Sequence, residues 1–253
     1  METGAITQYI DVAQVVLYVF WAFFAGVIYY LLRENHREGY PLDNGRENGP
    51  VQKGWPLIDQ PKVYKLEDGR SIEIPDLKRP DGEFFGKPAH RLLGAPLDPV
   101  GDPLLSGMGP GAWAQREDVC EKDPHGDLKI VPLRSAPEHG VAAQDNDPRG
   151  LSVYGADKIE AGKVKDLWVD KMELLFRYIE VALPSGKSVL LPVTFSDINK
   201  HYILVEALLA HQFENVPALK NADQITRLEE EKICAYYGAG TLYATPERME
   251  PLV

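Results

Sequence analysis

The run from Val12 to Leu32, VAQVVLYVFWAFFAGVIYYLL, carries no charge and one amide, Gln14. At about 1.5 Å of rise per residue, a helix over it is about 30 Å long, the thickness of a bilayer's hydrocarbon core. A helix satisfies its own backbone groups and so can sit in lipid. The rest of the chain is polar, and the whole carries a net charge of −11. That balance argues against nucleic acid as a partner. The chain therefore reads as a polar domain tied to a membrane by one span.

A cleaved secretory signal needs a basic start, a shorter apolar core and a small-residue cleavage site. Here no Lys or Arg precedes Arg33. Arg33, His36 and Arg37 come after the run, whereas Glu2 and Asp11 precede it. The positive-inside rule then predicts a periplasmic N-terminus and a cytoplasmic C-terminal part. Tyr29 and Tyr30 fall where an interfacial belt would lie. Phe20, Trp21 and Phe24 sit mid-span, facing lipid or packing on partner helices. Ala22 and Gly26 form a small-xxx-small pair that permits close helix approach.

Gly39 and Pro41 are expected to stop the helix. The stretch after it is rich in Pro and Gly and holds one hairpin pattern, Val63–Leu66 and Ser71–Ile74 around Asp68-Gly69. Trp55, Phe84, Phe85 and Trp113 are too apolar for a simple linker, so the stretch reads as extended chain laid over a partner's surface. From about residue 130, short strand patterns succeed one another: 129–133, 151–154, 162–170, 176–183, 188–193 and 202–205. This spacing predicts a small antiparallel barrel or sandwich. A helix is expected from Asp223 or Thr226 to about Tyr237, ended by Gly238 and Gly240. The expected organisation is residues 1–11 outside, a transmembrane helix over 12–33, an extended interface segment over 34–110, and a mainly β cytoplasmic domain over 111–253.

No nucleophile elbow, phosphate loop or dinucleotide motif is present, and no catalytic residue is assigned. Cys120 and Cys234 read as small, reduced core residues. Two carboxylate groupings are candidates for proton chemistry. In the first, Asp170 and Glu173 are followed by Arg177; burial raises a carboxyl pKa and a nearby arginine lowers it, so the balance decides whether the acid passes protons. The second is Glu121, Asp123, His125 and Asp127, where imidazole changes charge near neutrality. Each grouping also fits a solvated loop.

Several stretches taken in order resemble the H-subunit family of purple-bacterial photosynthetic reaction centres. They are Ile28–Leu31, Arg37–Leu42, Gly101-Asp102-Pro103, Gly109-Pro110, Trp113, Ala161–Val164 with Asp166–Asp170, Glu229–Tyr236 and Gly238–Ala244. The region from about 145 to 210 resembles the PRC-barrel module. The resemblance implies a single transmembrane helix, a PRC-type barrel and a short C-terminal helix. It implies a non-catalytic cap on the cytoplasmic face of the L and M subunits, helping protons reach the secondary quinone. Cofactors (bacteriochlorophyll, bacteriopheophytin, quinones and non-haem iron) would lie in the partner subunits and none in this chain. A cytochrome subunit and light-harvesting antenna are further expected neighbours, in a bacterial intracytoplasmic membrane.

Residue by residue, the resemblance assigns proton transfer to Glu173, with Asp170 and Arg177 beside it, and surface uptake to His125, Asp123 and Glu121. Asp127 stands where the family has a second histidine, which removes a nitrogen ligand from any metal site, and no metal is assigned. Gln224 replaces another family acid. Tyr29, Tyr30, Arg33 and Arg37 are assigned to an anionic lipid such as cardiolipin. The alternative reading is a membrane-anchored PRC-barrel adaptor unrelated to photosynthesis.

Overall fold

A computed structural model describes residues 6, 10–37, 55, 60–74, 76, 85–92 and 95–249. They divide into two compact units, Met1–Glu83 with Pro88–Pro96, and Phe84–Lys87 with Leu97–Val253.

In the first unit, helix α1 runs from Val12 to Asn35. Asp11 caps it, its carboxylate accepting the Gln14 N–H at 2.7 Å; this satisfies a donor that helix starts leave free. None of its residues through Asn35 is buried, and it is long and apolar enough to cross a membrane. The helix stop at Gly39 and Pro41 lies outside the described residues, as does Phe84. Strands β1 (Lys62–Lys65) and β2 (Ser71–Ile74) pair antiparallel around Gly69, whose φ of +83° suits the turn. Short strands β3 (Gly86–Pro88) and β4 (Leu97–Pro99) come next along the chain.

The second unit is a curled, half-barrel sheet packed on one helix. Its strands are β5 (Ile130–Pro132), β6 (Ser152–Gly155), β7 (Glu160–Asp170), β8 (Leu175–Ala182), β9 (Ser188–Pro192), β10 (Asp197–Ile198) and β11 (Tyr202–Val205). The order is β10-β11-β6-β7-β8-β9, with β5 pairing the far half of β7. One pairing departs from the expected antiparallel pattern: β11 lies parallel to β6. Strand β7 is long enough to take β6 beside its first half and β5 beside its second. Register shifts at Val164/Asp166 and Trp168/Val169 bend it. Trp168, Ile179, Leu191, Val153, Ile203, Phe213, Tyr236 and Tyr237 form the fully buried centre.

Helix α2 spans Arg227–Tyr243. Thr226 and Glu229 build a reciprocal capping box, with Thr226 N–H donating to Glu229 at 2.8 Å and Glu229 N–H to Thr226 at 3.2 Å. The helix does not end at Gly238 and Gly240, as the sequence suggested. It runs through both, because each meets a carbonyl from another segment: a Cβ would collide with Pro110 O at Gly238 and with Ala207 O at Gly240. These glycines permit close packing and are not terminators.

The cysteines also depart from expectation. Both are free thiols, but Cys120 is half-buried and Cys234 is exposed. Neither is a core residue.

Candidate functional site

The end of β7 and the start of β8 carry the first carboxylate grouping. Asp170 is the last residue of β7 and has no solvent exposure. Its Oδ1 accepts the N–H groups of Met172 and Glu173, both at 3.0 Å, and so shapes the turn. Its Oδ2 accepts from Nε and Nη2 of Arg177, each at 3.3 Å. Lys129 Nζ lies 3.5 Å from the same oxygen. Lys129 precedes β5, and the register Ile130↔Asp170 is what brings it there. Burial alone would raise the Asp170 pKa, but the two backbone N–H donors, Lys129 and Arg177 outweigh it and hold the pKa below its ordinary value. Asp170 is a fixed negative charge.

Lys129 joins three acids. Besides Asp170, its ammonium lies 3.4 Å from Glu121 and 3.7 Å from Glu173. Burial disfavours its charge, yet Asp170 and Glu121 raise its pKa overall. Arg177 reaches Glu173 at 3.0 Å, and Arg227, in the first turn of α2, reaches Glu121 at 3.3 Å. Glu173 remains 47% exposed on the rim. Lys129, whose sequence context gives no hint of that role, therefore links the first grouping to Glu121 of the second, while Asp123 pairs instead with Lys171.

Asp123 sits at the outer side. Its Oδ1 accepts the N–H groups of His125 and Asp127, both at 2.9 Å, and Lys171 lies 3.9 Å away. Burial opposes ionisation of Asp123, but those backbone donors and Lys171 bring its pKa down. His125 and Asp127 are exposed on the same turn. Gln224 accepts weakly from the Cys120 thiol at 3.9 Å.

Sequence reasoning missed Glu230. Its carboxylate accepts the Tyr178 hydroxyl at 2.9 Å. Burial raises its pKa; the Tyr178 bond and Arg177 oppose that without cancelling it. Burial likewise pushes the Tyr178 phenol up, so it stays a donor. In sequence, Glu230 is the middle of an acidic run in a helix start, where dipole stabilisation is sufficient explanation. A second network was also unforeseen. Arg134 bonds Asp166 at 3.0 Å, Glu180 at 2.5 Å and Asp223 at 2.7 Å, and Glu180 also takes Lys165 at 2.7 Å and the Trp168 indole at 3.3 Å. Every charge in it has a partner, which marks it as structural.

Within the first unit, the Arg33 guanidinium lies 5.7 Å from the Tyr29 ring centroid, and Lys62 Nζ lies 5.9 Å from that of Tyr30. Tyr29 and Tyr30 are exposed. Arg37 is turned inward: it pairs with Glu34 at 3.0 Å and donates to Gln60 O. Lys62, also bound to Glu34, is a further cation there, brought in by the β1 strand rather than by the helix.

Residues 4–135, more than half of the chain, match the photosynthetic reaction centre H-chain N-terminal region. The chain belongs to the reaction-centre H-chain family. Residues 141–212 match the PRC-barrel domain, the stretch that forms β6 to β11. The resemblance read from the ordered motifs is thus met. The chain is a photosynthetic reaction-centre subunit, and among the described residues α1 is the one helix long and apolar enough to cross a membrane. Members of this H-chain family are non-catalytic and do not themselves bind the cofactors, and membership implies association with the L and M subunits.

Proposed function

We propose that this H chain caps the cytoplasmic face of L and M, stabilises the assembly around the quinones, and conducts protons to the secondary quinone. The observation that carries the relay is the continuous cluster around Lys129, running from Glu121 to Asp170 and the rim acid Glu173. Reducing a quinone in a low-dielectric site leaves charge that is costly unless protons arrive. His125 and Asp127 are the exposed collecting groups, on the turn that the less exposed Asp123 shapes. Asp170 stays ionised and, with Lys129 and Arg177, holds the field constant. Glu173 is the acid positioned to hand the proton on.

Under this reading the N-terminus is periplasmic and the barrel cytoplasmic, in the photosynthetic intracytoplasmic membrane. Tyr29, Tyr30 and Arg33, with Lys62, supply aromatic and cationic groups for an anionic lipid such as cardiolipin. Arg37 would bind that lipid only on leaving Glu34. A cytochrome subunit and antenna would be neighbours in the complex, and the bacteriochlorophylls, bacteriopheophytins, quinones and non-haem iron would lie in the partner subunits.

The test is Glu173→Gln in the assembled reaction centre. The amide cannot carry the proton, so the second, proton-coupled electron transfer to the secondary quinone should slow by about a hundredfold or more, the usual weight of a positioned acid–base group. The first electron transfer should change little. A second-electron rate unchanged across pH 6 to 9 removes Glu173 from the route.

A further inference from the structure

A cavity of about 770 Å³ opens on the barrel between the β6–β7 turn, the segment before β10, the end of β11 and the last turn of α2. That is the size of a small-molecule site. None of its lining residues belongs to the cluster around Lys129. Its walls are held firmly. Asp157 accepts the N–H groups of Ile159 and Ala210, each at 3.2 Å, and pins the β6–β7 turn. Gly155 lies so close to Ala210 that a Cβ would meet its N at 2.5 Å. Arg248 donates to the carbonyls of Glu206 and Gly240 at 2.8 Å and of Ala207 at 3.2 Å, tying the end of β11 to α2.

Charges of both signs line this cavity. Lys158 has φ of +60°, a left-handed backbone that strains a residue with a Cβ. Strain of this kind collects at functional positions, and here it sets an exposed ammonium on the cavity rim. Asp197 lies opposite Leu204 in the β10–β11 pair, and Glu206 follows Leu204 by two residues. Among the described residues, Lys158, Asp197 and Glu206 have no ion-pair partner. Opposite charges thus share one cavity without neutralising each other. Ser196 and Thr241 donate their hydroxyl protons to Val193 O at 2.8 Å and Gly238 O at 2.6 Å, so each oxygen keeps lone pairs to accept with.

We propose that this cavity binds a small zwitterion, with its ammonium on Asp197 and Glu206 and its phosphate or carboxylate on Lys158. An anion alone would meet the two unpaired acids. A cation alone would meet Lys158 and the charge of Arg248. A molecule carrying both charges complements the whole lining, and complementarity of this kind is what gives a polar site its specificity. The hydroxyl oxygens of Ser196 and Thr241 add neutral acceptors for the ammonium.

The experiment titrates the full chain, in an uncharged detergent, with glycerophosphoethanolamine and follows the amide signals by nuclear magnetic resonance. Saturable shifts should appear at Lys158, Asp197 and Thr241. Ethanolamine, which keeps only the ammonium, and glycerol 3-phosphate, which keeps only the anion, should each bind about tenfold or more weakly. Lys158→Gly suits the positive φ and removes the ammonium. It should weaken binding by about tenfold or more while the chain melts no lower; Lys158→Arg, which keeps the charge, should restore binding. Asp197→Asn should weaken binding by a similar factor. Phosphatidylethanolamine added to the micelle assigns the source: if it displaces the soluble probe the site takes a lipid head group, and if it does not the site takes a free molecule. Absence of saturable binding overturns the proposal. So does equal binding of either single-charge compound, or binding that Lys158→Gly leaves unchanged.

Discussion

Asp170, fully buried, and Glu230, half-buried, are two carboxyls near Arg177, and their surroundings drive them in opposite directions. Asp170 takes two backbone N–H donors and two cations, and its pKa falls. Glu230 has one neutral donor close by, Tyr178, and burial prevails. The signs fix their effects on stability. Because the folded pKa of Asp170 lies below its unfolded value, its contribution is present above about pH 4 and is lost as the pH falls through the folded value. The folded pKa of Glu230 lies above its unfolded value near 4.5, so its contribution is present at lower pH and is lost as the pH rises through the folded value. Glu230→Gln keeps an acceptor for Tyr178 and removes that loss. The variant should therefore melt higher than the unsubstituted chain at pH 8, with the difference shrinking towards pH 4. Melting curves of the full chain across that range check it, and a lower melting temperature for the variant at pH 8 contradicts it. The sequence disclosed Asp170 and Arg177, which stand on either side of one turn. It could not disclose Glu230 or Lys129, because β5 and α2 reach the site from distant parts of the chain.

At the scale of elements, α2 shows how a local signal can mislead. Gly238 and Gly240 look like a C-terminal stop, since glycine favours the left-handed conformation that ends helices. Here the helix continues to Tyr243, and the glycines serve tertiary contact instead. Gly111 packs on the Cβ of Ala239, completing a seam of small residues beneath the 109–113 segment. Gly240→Val would force its side chain onto Ala207 O and the Leu208 side chain. It should cost about 1–3 kcal/mol as overpacking, seen as a lower urea midpoint with the slope unchanged. The strand positions were legible because period-two alternation with turn residues between is a local property. The parallel pairing of β11 with β6 was not, since strand order is decided by how the sheet curls around Trp168 and Ile179. The apolar run also announced the start of α1 at Val12, whereas the capping role of Asp11 came only with the structure.

At the scale of the whole molecule, the apolar run and the barrel divide the work unequally. Among the described residues, no hydrophobic residue before Leu104 is buried, and the entire core lies between Leu104 and Ala244. The β1–β2 ribbon has Val63, Tyr64, Ile72 and Ile74 all exposed, and a two-stranded ribbon is marginal by itself. Hydrophobic burial is the main favourable term in folding, so the two units must differ in how far they stand alone. A fragment of residues 97–253 should be soluble and unfold in one cooperative thermal transition, since it holds the sheet, α2 and the core. A fragment of residues 1–96 in detergent should show the helix signal of α1 but no cooperative loss of near-ultraviolet ellipticity on heating. Adding the pigmented L and M complex to the second fragment should bring protection from proteolysis at the β1–β2 ribbon, because its exposed apolar residues need a cover the fragment lacks. A cooperative transition in the 1–96 fragment alone would show that the membrane-proximal unit carries its own stability, and the unequal division between the two units would fall with it.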